Sequence, residues 1–276
     1  MIHKVIPLWE SSKSAFMPTL TTYVLDDCLD EAPRKRGAVL ICPGGGYGFC
    51  SPREAEPIAL AMTSKGYHAF VVDYTTNGAD PNMRHPQPLL DVSRAMTIIR
   101  ENAAEWNIDP TKVAVCGFSA GGHLAASLGT LGNRDYIKSN PQIGDNLPNA
   151  LILAYPVISA NKSVYHGGSF VNLLGENAST EAIEELSLEN QVSEITPPTF
   201  IWHTFPDDVV PVENALLFAS ALSTKKIPFD LHVYSEGGHG LSLATRETSS
   251  DHSQIIPHVQ SWVESCASWL KDIMSF

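Results

Sequence analysis

Short apolar runs alternate with longer segments of helical periodicity along most of this chain, and this alternation limits its possible folds more than any other feature. The runs predict strands, most of them apolar throughout, as strands buried on both faces are. They are AVLICPG (38–44), HAFVVDY (68–74), KVAVCGF (112–118), ALILAYPV (150–157), TFIWHT (199–204) and FDLHVYS (229–235). Helical spacing is found over 54–65, 88–106, 120–131, 212–226 and 253–273. The alternation predicts an α/β fold with a mostly parallel sheet covered by helices on both faces.

Two further stretches complete the predicted architecture. TLTTYVL (19–25) predicts an antiparallel edge strand. Residues 159–198 are the least regular stretch, with one short helix expected over 180–190 after a cap at Ser179 or Thr180. No repeat or linker divides the 276 residues. We therefore predict a single domain over 1–276, with 159–198 as a short, irregular cap-like insertion.

Composition limits the partners of the chain. Its formal net charge of −12 disfavours nucleic acid and anionic membranes. The sequence contains no apolar window long enough to span a membrane, and its first residues lack the apolar stretch of a signal peptide. The five cysteines form no C-x-x-C pair, and Cys42 and Cys116 are expected to be buried thiols of a reducing compartment. We expect a cytoplasmic protein with a small-molecule partner and no nucleic-acid or membrane partner; the oligomeric state stays open.

A serine flanked by glycines stands where a predicted strand meets a predicted helix. Gly117-Phe118-Ser119-Ala120-Gly121 fits G-x-S-x-G in the strand–turn–helix context which that motif requires. A closely packed turn would also use glycines, but the context favours a nucleophilic serine on a strained elbow. Ser119 is therefore the candidate nucleophile.

A nucleophilic serine needs a base, and the base needs an acid that orients it. Asp207 and Asp208 follow the strand predicted over 199–204, and His239 lies in a glycine-rich loop after the last predicted strand. Like Ser119, they come at carboxyl ends of strands, where open α/β sheets bind ligands. The order serine, acid, histidine is that of hydrolases with this elbow. His239 is the candidate base, and either aspartate can be the acid.

The developing negative charge of acyl transfer needs hydrogen-bond donors. CPGGGYGF (42–49) follows the apolar residues AVLI (38–41) of the first predicted strand, where such folds place their second donor loop. We predict an oxyanion hole made by the N–H groups of Gly45, Gly46 and Ala120, and expect Tyr47 to close a small substrate pocket. A phosphate-binding loop is the alternative, but neither G-x-G-x-x-G nor G-K-[ST] is present.

The remaining acidic and histidine residues give no sign of a further catalytic pair or of a metal site. Glu54 and Glu56 are expected to open a helix, where carboxylates interact favourably with the helix dipole, rather than to act as a catalytic pair. The sequence has no H-E-x-x-H motif and no cluster of acidic and histidine residues. We therefore predict no metal and no cofactor.

Together these motifs resemble the acetyl esterase/lipase family of the α/β-hydrolase superfamily, in the branch of acetyl-xylan-esterase-like and carbohydrate-esterase-like proteins. The matching stretches are ICPGGGY, REAEPIALAMTSKGYHAFVVDY, WNIDPTKVAVCGFSAGGHLAA, SEITPPTFIWHTFPDDVVPVENA and SEGGHGLSL. The acid loop of that family resembles G-x-x-D-x-x-V-P, and residues 204–211 fit it with Thr204 at the glycine. The resemblance thus implies Asp207 as the triad acid.

The resemblance also implies an activity. It implies a serine carboxylesterase that hydrolyses short acyl esters, acetyl above all, of O-acetylated sugars or xylo-oligosaccharides through an acyl-enzyme. One alternative is a peptidase or amidase of the same fold, although the chain has no large cap that would select peptides. Another is a non-catalytic ligand-binding protein of hydrolase fold. Such a protein would generally lack one member of the triad, whereas all three are present here.

Overall fold

A computed structural model describes residues 1–11, 16–27 and 34–274. In this part of the chain eight strands form one sheet in the order β1-β2-β4-β3-β5-β6-β7-β8. They are β1 (Val5–Pro7), β2 (Thr19–Tyr23), β3 (Arg36–Cys42), β4 (His68–Asp73), β5 (Ile108–Phe118), β6 (Ala150–Ala154), β7 (Thr199–Thr204) and β8 (Phe229–Tyr234). β1, β2 and β4 pair antiparallel, and all other neighbours are parallel. The predicted mostly parallel sheet is confirmed.

Nine α-helices occur among the described residues. They are α1 (Glu56–Ser64), α2 (Gln87–Glu101), α3 (Ala120–Leu131), α4 (Asp135–Lys138), α5 (Gly167–Leu174), α6 (Thr180–Glu185), α7 (Glu213–Thr224), α8 (Pro257–Gln260) and α9 (Trp262–Met274). Short 3-10 turns lie at Pro52–Glu54, Leu188–Asn190 and His252–Gln254. None of the helices in the described ranges is long and apolar enough to cross a bilayer.

The core lies on both faces of the sheet because side chains alternate along each buried strand. On β3, Leu40 packs in one apolar cluster with residues of α2, α3 and α7, while Ile41 packs in a second cluster with residues of α1 and α9. Both side chains are fully buried. Truncating either to alanine would cost about 2–5 kcal/mol of folding free energy. The two layers fix the carboxyl ends of the strands, where the predicted site residues lie.

The sheet edges differ from the sequence prediction. The predicted edge strand forms β2, but it is not at the edge, because Val5–Pro7 adds the three-residue strand β1 outside it. Strand β8 forms the opposite edge, and most of its residues are partly or fully exposed. The expectation of strands buried on both faces therefore fails for β8, which pairs only with β7 among the described residues.

Three predicted helices are wrong in extent. The helix expected over 88–106 ends at Glu101. The segment 253–273 is broken: α8 begins at Pro257 after extended Ile256, and α9 follows from Trp262. A proline has no N–H for an intrahelical bond, so a helix through Pro257 from residue 253 is disfavoured. The helix expected over 180–190 ends at Glu185, although Ser179 caps it by accepting from the N–H of Ala182.

The cysteines follow the prediction where they are described. Cys42, Cys50, Cys116 and Cys266 are free thiols, and Cys42 and Cys116 are buried as expected. Cys28 lies outside the described residues.

The segment 159–198 contains α5, α6 and the Leu188–Asn190 turn, inserted between β6 and β7. The division of the chain into domains stays a prediction.

Candidate active site

Ser119 stands on a sharp turn between β5 and α3. Its backbone has φ 53° and ψ −119°, a conformation that costs a non-glycine residue about 1–3 kcal/mol. Glycines allow the close packing around it. A Cβ at Gly117 would lie 2.1 Å from the carbonyl oxygen of Gly121, and one at Gly121 would lie 2.1 Å from that of Cys42. The predicted strained elbow is thus present, with the serine 7% exposed at its tip.

Ser119, His239 and Asp207 form one hydrogen-bonded chain. His239 Nε2 lies 2.8 Å from Ser119 Oγ, and its Nδ1 lies 2.7 Å from Asp207 Oδ2. An ionised carboxylate only accepts hydrogen bonds, so Nδ1 carries the proton and Nε2 is the acceptor for the serine hydroxyl. This is the arrangement of nucleophile, base and orienting acid that acyl transfer uses.

The acid loop holds Asp207 in its ionised form. Asp207 Oδ1 accepts from the N–H groups of Val209 and Val210, at 3.0 and 2.9 Å. Burial acts to raise the pKa of Asp207, but the hydrogen bonds from His239 and Val210 and the nearby imidazole outweigh it and leave the pKa below its ordinary value. The adjacent Asp208 is exposed. Of the two candidate acids, the structure brings Asp207 to the histidine.

The glycine-rich loop passes directly beside the nucleophile. A Cβ at Gly44 would lie 3.0 Å from the Cβ of Ser119. The next two residues, Gly45 and Gly46, have φ values of 122° and 62°, which favour glycine. Within the described residues, no acceptor is bonded to the N–H groups of Gly45, Gly46 or Ala120. Their assignment as the oxyanion hole stays a prediction.

Tyr47 fastens the same loop to the elbow helix. Its hydroxyl lies 2.8 Å from His123 Nδ1, and His123 Nε2 donates to the carbonyl of Leu186 at 2.9 Å. Tyr47 must therefore donate to Nδ1. Burial lowers the pKa of His123 to about 4, which keeps the ring neutral. Tyr47 is only 1% exposed, so its contact with substrate stays a prediction. The sequence reasoning missed His123, although it stands within the elbow motif SAGGHLAA.

The cap-like segment 159–198 touches the glycine-rich loop through α5. Asn172 Nδ2 donates to the carbonyl of Gly46 at 2.8 Å. At the start of the helix, His166 Nδ1 lies 2.8 Å from Ser169 Oγ. Burial and the charge of nearby His239 lower the pKa of His166. The sequence carries no signal for Asn172 or His166, because neither belongs to a motif.

Glu54 corrects the sequence interpretation. It lies in the Pro52–Glu54 turn, while helix α1 begins at Glu56, so Glu54 does not open that helix. Its side chain is buried, with Oε2 accepting from the N–H of Gly44 at 2.8 Å and Oε1 accepting from the hydroxyl of Tyr155 at 2.6 Å. Sequence spacing gives no sign of this contact, because Tyr155 lies 101 residues away along the chain.

The described residues contain no group of three or more histidine, cysteine, aspartate or glutamate side chains that could hold a metal ion.

Comparison with known proteins identifies relatives along most of the chain. A family profile with the description BD-FAE matches residues 30–222. Endo-1,4-beta-xylanase B of Butyrivibrio fibrisolvens is 44% identical over 241 residues, and Acetylxylan esterase of Xylanibacter ruminicola is 33% identical over 242 residues. Each match covers 86% of this chain but only 37% and 47% of the respective relative. The chain thus spans less than half the length of these curated relatives.

Solved structures match over nearly the whole chain. An acetyl ester-xyloside bifunctional hydrolase from Caldicellulosiruptor lactoaceticus is 38% identical with a TM-score of 0.85, covering 98% of this chain and 96% of that one. The carboxylesterase Cest-2923 from Lactobacillus plantarum is 26% identical with a TM-score of 0.83, covering 99% and 98%. The fold is that of the α/β-hydrolases.

Proposed function

Since this chain belongs to the BD-FAE family, we propose that it is a serine carboxylesterase that removes short acyl groups, chiefly acetyl, from sugar hydroxyls such as those of xylo-oligosaccharides. The observation that carries the proposal is the hydrogen-bonded chain from Ser119 through His239 to Asp207. The unbonded N–H groups beside it supply the second requirement of acyl transfer.

The proposed reaction has two halves. Ser119 Oγ attacks the ester carbonyl carbon while His239 Nε2 accepts the hydroxyl proton. The tetrahedral intermediate then collapses, the carbon–oxygen bond to the alcohol breaks, and the alcohol leaves with the proton from His239. A water molecule next attacks the acyl-serine and gives a proton to His239. Collapse of the second intermediate releases the carboxylic acid and returns the proton to Ser119.

The remaining groups of the site stabilise the charges that develop during the reaction. Asp207 keeps the proton of His239 on Nδ1 and stabilises the imidazolium that forms in each half-reaction. The N–H groups of Gly45, Gly46 and Ala120 stabilise the oxyanion. Removing one such donor from a hydrolase typically lowers kcat by about 10²–10³-fold.

The proposed substrate class rests on the names of two relatives. Two relatives carry names that specify acetylxylan or acetyl ester-xyloside hydrolysis. No relative named above is a peptidase, and the intact Ser–His–Asp chain argues against a non-catalytic binding protein.

We further propose a single domain over 1–276, with 159–198 as its cap. A cytoplasmic location is also proposed, since the four described cysteines are unpaired.

The proposal is tested by acetate release from acetylated xylo-oligosaccharides, alongside turnover of p-nitrophenyl acetate and of a peptide p-nitroanilide. We expect both esters to be hydrolysed, the anilide to be left intact, and Ser119→Ala to abolish ester turnover. Activity should survive dialysis against EDTA, because the mechanism uses no metal. Faster anilide than ester turnover would overturn the substrate class. Loss of activity on chelation that zinc restores would overturn the serine mechanism.

A further inference from the structure

We propose that Glu54 is a positioning residue, whose buried carboxylate joins the glycine-rich loop to the loop of His239 and holds both in their catalytic arrangement. The inference rests on the proposed function, since it concerns the same site. It is carried by two hydrogen bonds to Glu54 and by the contacts of its neighbour Arg53.

The first contact fixes the glycine-rich loop. Glu54 Oε2 accepts from the N–H of Gly44 at 2.8 Å, while the carbonyl of Gly44 accepts from the N–H of Ser51 at 3.0 Å. The Gly44 carbonyl shares one planar peptide unit with the N–H of Gly45. Bonds on both sides of Gly44 therefore set the direction in which the Gly45 N–H points, and Gly44 itself lies against Ser119.

The second contact reaches the histidine loop through Tyr155. The Tyr155 hydroxyl donates to Glu54 Oε1 at 2.6 Å and accepts from the N–H of Ser242 at 2.9 Å. The ring of Tyr155 meets the ring of His239 edge-on, with the centroids 5.1 Å apart. Ser242 comes three residues after His239, so Glu54 and Tyr155 restrain both the imidazole and the chain that carries it.

Arg53 binds the histidine loop a second time. Its guanidinium donates to the carbonyl of Gly240 at 2.8 Å, to Gln254 Oε1 at 2.9 Å and to the carbonyl of Thr248. Its own carbonyl accepts from Ser242 Oγ at 2.6 Å. The Pro52–Glu54 turn thus contacts both loops. Glu54 binds the loop of the proposed oxyanion donors, and both Arg53 and Glu54 restrain the loop of His239, Glu54 through Tyr155.

A buried carboxylate is a costly way to fill this space. Burial raises the pKa of Glu54, while the hydrogen bonds from Tyr155 and Gly44 and the charge of His239 oppose the rise. A well-packed apolar side chain would often stabilise a core as well or better. What an apolar side chain cannot do is accept hydrogen bonds from two loops at once, which is the task proposed for Glu54.

The charge of Glu54 provides a readout that separates positioning from simple stability. The titratable and charged groups around the imidazole of His239 are Asp207, His203, His166, Glu54 and Arg53. Burial lowers the pKa of both neighbouring histidines, so they are uncharged near neutral pH. A negative charge favours the imidazolium that forms on His239 in each half-reaction. Removing that charge should lower kcat and leave KM nearly unchanged, whereas a loss of stability alone would leave the kcat of the folded protein unchanged.

The test compares Glu54→Gln, Tyr155→Phe and the double variant with Glu56→Gln, which alters an exposed carboxylate two residues away. We expect Glu54→Gln to lower kcat for p-nitrophenyl acetate by about 10–100-fold with little change in KM, as a small misplacement of catalytic groups does. Tyr155→Phe should lose a similar factor, and the double variant little more, because both changes break one link.

Glu56→Gln should stay within about twofold of the parent enzyme, as surface changes do. A folded Glu54→Gln variant with parental kcat and KM would overturn the inference, even if its Tm were lower. If Glu54→Gln does not fold, Tyr155→Phe decides alone, and parental kcat would again overturn it. If the parent enzyme hydrolyses neither ester, the proposed function fails instead. In a third outcome the parent is active, Ser119→Ala is inactive and Glu54→Gln is unaffected. That result would support the proposed function and exclude this role for Glu54.

Discussion

The proposed catalytic residues and the proposed cap, residues 159–198, differ in how they are held in the structure. Asp207 is buried and bonded by two backbone N–H groups and by His239. Among the described residues, helix α6 of the cap has no buried residue, and one side-chain hydrogen bond, from Asn172, joins the cap to the glycine-rich loop. Groups that must keep their geometry during the reaction are held by many bonds, while lightly held segments can adapt to a substrate. Changes to the first region should therefore affect chemistry, and changes to the second should affect selectivity.

The largest effect is expected at the nucleophile. Ser119→Ala removes the atom that forms the acyl-enzyme, so kcat should fall on the order of 10⁴-fold or more. The burst of p-nitrophenol should disappear in stopped-flow traces, while circular dichroism should be unchanged. A variant with near-normal turnover would show that the buried region does not carry the chemistry.

The next effect separates two adjacent carboxylates. Asp207→Asn should lower kcat by about 10⁴-fold, because an amide favours the wrong tautomer of the imidazole. Asp208→Asn changes an exposed side chain and should cost at most about tenfold. The two variants make the same chemical change, one at the aspartate that contacts His239 and one at its exposed neighbour. An inactive Asp208→Asn beside an active Asp207→Asn would reverse the assignment.

A smaller effect concerns the acyl group. The cap is short, and both its Phe170 and Tyr47 of the glycine-rich loop are buried, so little space is expected for a long chain. We expect kcat/KM to fall by at least tenfold from acetyl to octanoyl p-nitrophenyl esters. A roomy pocket would instead gain about 0.8 kcal/mol for each buried methylene, and kcat/KM would rise with chain length. Such a rise would move the enzyme toward the lipases.

The smallest effect is expected in the cap itself. Asn172→Ala removes the bond to the carbonyl of Gly46, a loss of about 1 kcal/mol or fivefold in kcat/KM. Asn177→Ala is the matched control, because Asn177 is exposed in the same cap and makes no side-chain hydrogen bond among the described residues. Equal kinetics for the two variants would mean that the cap does not restrain the loop.

The same contrast explains how far the sequence could be interpreted. The elbow of Ser119 and the sheet that carries it follow from local patterns, namely glycines at a strand–helix junction and apolar runs. The order of Asp207 and His239 along the chain also predicted them as candidate acid and base. The role of Glu54 was not, because its partner Tyr155 lies 101 residues away and no local pattern encodes that contact. Helix α5 was missed as well, since it opens with two glycines, which are poor helix formers.

Covalent labelling of the nucleophile tests the central claim most directly. The parent enzyme would be inhibited with an organophosphate, digested and mapped by peptide mass spectrometry, with Ser119→Ala treated in parallel. We predict one phosphoryl group per chain, on the peptide that contains Ser119, with esterase activity lost in proportion to labelling and no adduct in the variant. Complete inhibition with Ser119 unmodified, or full activity with Ser119 fully labelled, would contradict the account.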